Sequence, residues 1–172
     1  FSTGQLNDSF ELSGRLSKID SDGYIDRAYS DLKSYFLQAA YSKGNTLIKA
    51  LTFGGHEKTY QSWYGVSKEE LLENRRQNPY TYENEIDNYK QDHYQFHWNE
   101  KLNERWSTNL GLNYTYGRGY FEQYREDDSI DTYGGILVSD LDQQGNKTGT
   151  TDLIRRRWLD NNFYVFNASA NY

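Results

Sequence analysis

The residues best suited to ligand binding lie in the longest polar segment of the chain, at 56–88. Arg75 and Arg76 stand side by side there, and arginine binds carboxylates and phosphates through two parallel hydrogen bonds. Aromatic and arginine side chains are also the types most enriched at binding hot spots. The candidate set is completed by the aromatic residues Trp63, Tyr64, Tyr80 and Tyr82. We predict that this set contacts a captured ligand, with packing of the segment against itself as the alternative.

Aspartates form a second group of candidate ligands, at Asp20, Asp22, Asp26 and Asp31. Calcium prefers hard oxygen ligands such as these carboxylates. The spacing does not match an EF-hand loop, because the position of the third ligand is occupied by Tyr24. The group indicates either a solvated acidic segment or a loop that calcium stiffens, and no other cofactor is predicted.

Two histidines, His93 and His97, would share one face of a helix and could then bind zinc. In an extended strand the same spacing is ~13 Å, at about 3.3 Å per residue, which is too long for a shared ion. The chain contains no cysteine, so disulfides, thiolate metal sites and a cysteine nucleophile are excluded. We recognise no ordered catalytic set in the sequence, and the chain is not predicted to be an enzyme.

The stretch from Trp106 to Tyr116 shows which kind of element carries these residues. Every second side chain belongs to a mostly apolar set that includes Leu110, Leu112 and Tyr114, and the residues between are polar or glycine. This alternation predicts a strand with one apolar and one wet face. Trp and Tyr at the ends of such a face favour a membrane–water boundary. With a tilt of about 40°, the strand would cover ~20 Å of depth, close to the ~25 Å apolar band of an outer-membrane barrel.

Alternating segments recur along the chain, separated by connections of two different lengths. Strands are predicted at 1–6, 9–19, 34–42, 46–54, 89–98, 106–125 and 158–172. The short connections fall at 7–8, 43–45 and 99–105, and the long ones at 20–33, 56–88 and 126–157. Short turns at one end and long loops at the other are typical of outer-membrane barrels. The predicted fold is therefore all-β, an antiparallel transmembrane barrel segment of about six to seven strands.

Two local features refine this fold. Residues 67–79 are predicted to contain a short helix, because Ser67 and Glu70 form a capping box and Pro79 follows. The facing of the strand at 46–54 stays open, since turning Lys49 to water also turns Leu47, Leu51 and Phe53 to water. A bulge at Gly54-Gly55 that switches the register is expected.

Composition supports a barrel wall over other classes. Aromatic residues make up 17% of the chain, which excludes a disordered protein. A mean hydropathy of −1.02 argues against a large sealed core. The sequence has no run of 18 apolar residues, so no membrane helix is predicted. The net charge of −6 disfavours nucleic acid as a partner.

The barrel hypothesis assigns positions to further residues. Arg15, Gln95 and Asn109 would line a water-filled lumen. The membrane-interface aromatics would be Trp98 and Trp106, which flank a short turn, together with Tyr114 and Tyr116. The run Arg155, Arg156 and Arg157 would meet lipopolysaccharide phosphates or an anionic ligand, or is a solvated charge run.

Three stretches, at 20–41, 46–66 and 155–164, resemble TonB-dependent outer-membrane receptors, especially those of Bacteroidetes-like bacteria. The resemblance covers only the middle of that family's barrel. It implies a 22-stranded barrel with an N-terminal plug in its lumen, neither of which is complete in residues 1–172. We therefore expect a single partial barrel domain that belongs to a longer protein of the bacterial outer membrane.

The resemblance also implies a function and its partners. It predicts import of a scarce nutrient such as an iron–siderophore complex, with cobalamin or a glycan as alternative cargoes. The implied partners are outer-membrane lipid and lipopolysaccharide, the TonB complex through the missing N-terminal region, a small-molecule cargo and a surface lipoprotein. An outer-membrane barrel of another class, an enzyme or a porin, and a soluble all-β interaction module remain as alternatives.

Overall fold

The computed structural model describes residues 1–134 and 141–172, and these form an open antiparallel sheet of seven strands. The strands are β1 (Ser2–Leu6), β2 (Phe10–Ser21), β3 (Ser30–Lys43), β4 (Thr46–Tyr60), β5 (Ile86–Lys101), β6 (Ser107–Ser129) and β7 (Thr150–Asn171). Each strand pairs with the next one along the chain, so β1 and β7 form the two edges. The prediction of an all-β antiparallel fold is confirmed.

The connections keep the expected alternation of lengths, but the long ones are shorter than predicted. The chain turns tightly after β1, β3 and β5, and the longer connections span 22–29, 61–85 and 130–149. Most strands therefore extend beyond the bounds that were expected, at the end where the long loops lie. The reason is that the ladder continues through charged residues such as Asp20 and Asp31, which carry no apolar signal.

The helix in the longest connection is confirmed, although it is shorter than expected. Helix α1 spans Lys68–Glu73, and Ser67 and Glu70 form the predicted capping box. Asn74 ends the helix in an extended conformation, several residues before Pro79. No helix among the described residues is long and apolar enough to cross a membrane.

The pairing divides the side chains between two faces of the sheet, because directly paired residues point to the same side. One pairing row joins Leu12, Ala39, Ala50, Phe96, Leu112 and Phe166, and we call its side the apolar face. The adjacent positions Gln38, Gln95 and Asn113 lie on the opposite side, which we call the polar face. On the apolar face, the rings of Tyr94, Tyr114 and Tyr164 stack across β5, β6 and β7, with centroids 5.9 Å and 4.8 Å apart.

Strand β4 settles the facing that the sequence left open. Lys49 pairs with Ala40 and His97 on the polar face, and Leu47, Leu51 and Phe53 share that face with it. The expected bulge at Gly54-Gly55 is wrong, because both pairings of β4 run through these residues without a shift. A Cβ on Gly54 would lie 2.5 Å from the carbonyl oxygen of Gln91, so close approach of β5 explains the glycine.

The short-turn ends of the hairpins are staggered along the sheet. The first hairpin closes at the pair Leu6–Phe10, and Phe10 pairs with Tyr41 of β3. The second hairpin closes at Lys43–Thr46, which lies further along β3 than Tyr41. Such a stepwise offset is the register pattern of strands that tilt within a curved sheet.

Candidate functional site

The most enclosed part of the described chain lies at the long-loop end of the sheet, where the connection 61–85 folds over β4 and β5. Tyr60 and Ile86, which flank this connection, are the buried hydrophobic residues. The backbone N–H of Gln61 donates to the carbonyl of Glu85 at 2.8 Å, and the hydroxyl of Tyr60 donates to the carbonyl of Tyr82 at 2.6 Å. The two ends of the connection are thus tied together, and the loop is docked on the sheet.

Asn78 joins this connection to the neighbouring loop at 22–29. Its side chain is buried and donates to the carbonyls of Asp26 and Gln61, at 3.0 Å and 3.1 Å. Its amide oxygen accepts a hydrogen bond from the N–H of Tyr80 at 3.1 Å. The guanidinium of Arg27 donates to the carbonyls of Asn78 and Tyr80. The two loops therefore form one hydrogen-bonded unit.

We expect Asn78→Ala to loosen this unit without unfolding the sheet. The substitution removes the partner of the buried Gln61 carbonyl, at a cost of about 1–3 kcal/mol, and also the partners of the partly buried Asp26 carbonyl and Tyr80 N–H. Limited proteolysis of the full-length protein should then cut within 61–85 at least tenfold faster. The control is Glu83→Ala, since Glu83 is exposed in the same connection. Equal cleavage rates in the two variants would show that Asn78 does not hold the loops together.

Two buried carboxylates lie where the docked loop meets the sheet, Glu85 at the end of the loop and Glu122 on β6. Glu85 is 1% exposed, and one of its oxygens accepts the N–H of Tyr124 at 3.1 Å. Glu122 is 2% exposed, accepts the hydroxyl of Tyr82 at 2.6 Å, and forms a short ion pair with Arg156. Burial raises the pKa of Glu85, and the nearby charge of Glu122 acts in the same direction.

The raised pKa of Glu85 predicts that the loop is held less firmly as pH increases. The docked loop binds the Glu85 proton more tightly than the unfolded chain does. The resulting stabilisation of the docked loop is therefore complete below the pKa that Glu85 has in the unfolded chain, and it is lost as the pH rises through the pKa of Glu85 in the docked loop. Cleavage within 61–85 should therefore accelerate with pH in the range above 4.5, the ordinary value for glutamate. Glu85→Gln should remove this dependence and slow cleavage at neutral pH, whereas Glu83→Gln should leave both unchanged. A Glu85→Gln profile that still follows the unsubstituted protein would contradict the assignment.

The predicted ligand-contacting residues divide into exposed and engaged side chains. Trp63 and Tyr64 are 60% and 63% exposed, and Arg75 is also exposed. The ring of Trp63 packs against Phe121 of β6 with centroids 6.0 Å apart, and that of Tyr64 packs against Tyr80 of the same connection at 5.3 Å. These three residues of the docked connection are open to solvent, where a ligand can reach them.

The remaining members of that set also hold the loop. Arg76 pairs with Asp26 at 3.3 Å and lies over the ring of Tyr24 at 5.9 Å. Tyr82 donates its hydroxyl to Glu122, and Tyr80 carries the ring that Tyr64 contacts. Contact with a ligand stays a prediction for all six residues, and Arg76 and Tyr82 have a structural role besides.

The predicted lumen residues share the polar face. Arg15 pairs with Phe36, Gln95 with Asn113, and Asn109 with Asn99 and Ser169, so the register places all of them on one side. His93 lies in the same face, where its ring stacks on Phe53 at 4.5 Å and its Nδ1 is 2.9 Å from the hydroxyl of Thr115. His97 instead contacts the amide oxygen of Gln95 at 3.2 Å. The two histidines thus have separate partners.

The predicted interface aromatics lie on the apolar face or at its rim. Trp98 pairs with Leu110, Tyr114 with Tyr94, and Tyr116 with Asp92, all on the apolar face. Trp106 immediately precedes β6, and its ring is 4.9 Å from that of Tyr172. Trp98 lies three residues before the end of β5 and Trp106 at the end of the short connection that follows, and a membrane-interface role stays a prediction for both.

The aspartates considered for calcium do not converge. Asp20 pairs with Lys18 at 2.7 Å, and Asp26 pairs with Arg76. Among residues 1–134 and 141–172, no group of three or more histidine or acidic side chains is arranged to hold a metal ion. The alternative of a loop stiffened by calcium at Asp20, Asp22 and Asp26 therefore has no ligand cluster to support it.

Sequence reasoning missed the residues that hold the loop unit. Asn78, Glu85 and Glu122 are all buried polar residues, and their partners are remote in the chain. The one available signal was the position of Glu122, which continues the even-numbered apolar set of its strand and so needs a cationic partner once it is covered.

Comparisons with family models, with curated proteins and with solved structures found no match to this chain.

Proposed function

We propose that the chain forms one arc of an outer-membrane β-barrel, and that this barrel is a TonB-dependent receptor that imports a scarce nutrient. The observation that carries the proposal is the height of the uncharged band on the apolar face. On β3 this band lies between Lys33 and Lys43, and every residue of that face between them is uncharged. Ten residues of strand span ~33 Å, or ~25 Å after a tilt of about 40°, which equals the ~25 Å apolar band of outer-membrane barrels.

The open edges of the sheet support further strands on both sides. In hydrocarbon an unpaired N–H or C=O costs several kcal/mol, so a spanning sheet must close on itself. Strand β7 is an edge of 22 residues, and its outer backbone groups need a partner along that length. We infer that other strands of the same protein complete the wall, in line with the staggered register of the hairpins.

The exposure of the apolar face weighs against a soluble interaction module. Leu12, Leu37, Phe96, Leu112 and Phe166 are all exposed large hydrophobic residues of this one face. Soluble monomers rarely leave so continuous an apolar surface uncovered. A detergent-free, monodisperse sample with a cooperative melt would favour the soluble module and remove the membrane from the proposal.

Nutrient capture is the proposed task of the docked loops. Trp63, Tyr64 and Arg75 present two aromatic rings and a guanidinium at the long-loop end, which suits an anionic and partly aromatic cargo such as an iron–siderophore complex. The polar face, with Arg15, Gln95 and Asn109, would line the route inward. Cobalamin and glycans are the alternative cargoes, and a porin or an outer-membrane enzyme is the alternative class.

The direct test is uptake by cells that lack the full-length protein. We expect such cells to lose growth on one limiting nutrient out of iron–siderophore complexes, cobalamin and glycans. The same loss should follow when the TonB protein is removed, because the receptor class depends on that energy source. Passive uptake that persists without TonB would identify a porin, and hydrolysis of lipid or peptide by the purified protein would identify an enzyme.

Once the cargo is known, we expect its affinity to depend on the exposed loop residues. The combined variant W63A/Y64A/R75A should weaken binding at least ~30-fold, since truncated hot-spot residues typically cost 2 kcal/mol or more. The control is Leu72→Ala, because Leu72 is 81% exposed on the neighbouring helix. Unchanged cargo affinity in the triple variant, measured by titration calorimetry, would move the capture site away from this loop.

A further inference from the structure

Four cationic side chains and one histidine form a continuous row across five strands of the apolar face. The row joins Lys18, Lys33, His56, Lys90 and Arg118, and each member pairs directly with the next. Neighbouring strands lie about 4.8 Å apart, so the row is ~19 Å long. The pairing of these five residues is unbroken from β2 to β6. We call this set the basic row.

The basic row lies just beyond the apolar band, at the end of the sheet that carries the long loops. On β2 the last apolar residue of this face is Leu16, and the next position of the same face is Lys18. On β3 the corresponding residues are Tyr35 and Lys33. A row of cations in this position lies where lipid headgroups meet the hydrocarbon, if the apolar band contacts lipid chains as proposed.

Carboxylates accompany the row without covering it. The ion pairs are Lys18 with Asp20 at 2.7 Å, Lys33 with Asp31 at 3.1 Å, Lys90 with Asp92 at 2.9 Å and Arg118 with Asp160 at 3.7 Å. All four cationic side chains are 56–57% exposed. Exposed ion pairs are weak because water screens them, and each lysine has three N–H donors. The cations can therefore still bind phosphate from the lipid side.

The arginine run at 155–157 is less suited to binding phosphate than the basic row. Arg156 is the member on the apolar face, where it pairs with the buried Glu122 and lies over the ring of Tyr120 at 4.7 Å. Arg155 donates to Gln123 at 2.8 Å on the polar face. The run is thus split between the faces, whereas the basic row keeps its charges on one side.

We propose that the basic row binds the phosphate groups of lipopolysaccharide in the leaflet at the long-loop end, an inference that rests on the proposed membrane location. Lipid, rather than free phosphate, is the occupant because the apolar band, which begins directly below the row at Leu16, Tyr35 and Tyr116, offers a surface for acyl chains. Several cations at fixed spacing also suit a lipid that carries more than one phosphate. The row then fixes the height of the sheet in the membrane.

The test compares variants of the full-length protein reconstituted in phosphatidylcholine vesicles that contain lipopolysaccharide. The amount of lipopolysaccharide that stays with the protein after detergent extraction is measured for each variant. We expect K18Q/K33Q to retain at least threefold less than the unsubstituted protein. Lys43→Gln is the matched control, because Lys43 lies on the same face of β3 at the short-turn end, and its retention should be unchanged.

Three further arms separate the explanations. Lipopolysaccharide from which the phosphates have been removed should be retained only at the level of K18Q/K33Q. Added inorganic phosphate should not displace the intact lipid, and full displacement would overturn the choice of lipid as the occupant. D20N/D31N should retain as much lipid as the unsubstituted protein or more, whereas a loss equal to that of K18Q/K33Q would make the row a structural ion-pair ladder.

Insertion is scored in the same vesicles by protease resistance, so that the two proposals can fail separately. If the unsubstituted protein does not insert, the membrane location is wrong. If all variants insert and K18Q/K33Q retains as much lipopolysaccharide as the unsubstituted protein, only the basic row is excluded as the binding site. An equal loss in Lys43→Gln would exclude it as well, because the effect would then follow charge anywhere on this face.

Discussion

Leu112→Arg is expected to prevent stable insertion of the protein into outer-membrane vesicles, whereas Asn113→Arg on the same strand is expected to be tolerated. Leu112 lies in the central row of the apolar face, and Asn113 pairs with Gln95 on the polar face. An arginine on the lipid side of a barrel costs about 2–4 kcal/mol near the midplane, and a change on the lumen side does not carry this cost. The two positions have nearly the same depth, so only their facing differs.

The measurement for this pair is the fraction of protein that resists protease after folding into vesicles. We expect Leu112→Arg to reduce that fraction at least tenfold and Asn113→Arg to reduce it less than twofold. The opposite order would mean that the polar face contacts lipid. Equal losses in both variants would indicate a soluble sheet or a sandwich, in which both faces are covered by protein.

Much of this fold follows from period-2 patterns that a reader can take from the sequence. The alternation around Leu110 and Leu112 predicts a strand and its facing, and the same rule finds most strands of the described sheet. The strand ends are harder to predict, because pairs of charged residues such as Asp20–Asp31 extend the ladder beyond the apolar alternation. At these ends the backbone hydrogen bonds determine how far a strand extends, and the hydropathy of the side chains does not indicate where it stops.

At the candidate site, features that depend on neighbouring residues can be predicted from the sequence, and features that depend on remote contacts cannot. The capping box of Ser67 and Glu70 spans a single turn, so the sequence predicts it directly. The position of Asn78 depends on Asp26 and Arg27, which belong to a different connection. The two loops become neighbours only through the pairing of β3 with β4, and the distance between the loops cannot be read from the sequence alone.

The facing of β4 shows a second limit. Lys49 and Phe53 lie on the same face, although the sequence rule assigns charged and aromatic residues to opposite sides. The conflict disappears in the structure because Phe53 stacks on His93, so the polar face contains an aromatic contact of its own. Binary patterning fails where a polar surface is built partly from rings.

Gly119→Ala is expected to destabilise the sheet strongly, whereas Gly111→Ala is expected to be neutral or stabilising. Both glycines lie in β6 on the polar face, at pairs with Tyr89 and His97. A Cβ on Gly119 would lie 2.2 Å from the carbonyl oxygen of Asn88 and 2.6 Å from the Cα of Tyr89. These are backbone atoms of β5 and cannot turn aside, so the two strands must separate, at a cost of about 1–3 kcal/mol.

The surroundings of Gly111 are different, since its nearest contact would be the His97 ring at an ordinary 3.6 Å. Alanine there should gain the ~0.5–1 kcal/mol by which glycine weakens a strand interior.

Gly117 provides an internal check on this argument, because the obstacle there is a side chain. A Cβ on Gly117 would lie 2.1 Å from the hydroxyl oxygen of Tyr89, and the next contact is also with the Tyr89 ring. The double variant G117A/Y89A should therefore recover the stability that Gly117→Ala loses, whereas G119A/Y89A should not, since the carbonyl of Asn88 remains in place. The urea midpoint of the folded, vesicle-inserted protein measures all these variants. Rescue of Gly119→Ala by the loss of Tyr89 would show that ring contact, and not the approach of the β5 backbone, requires a glycine at this position.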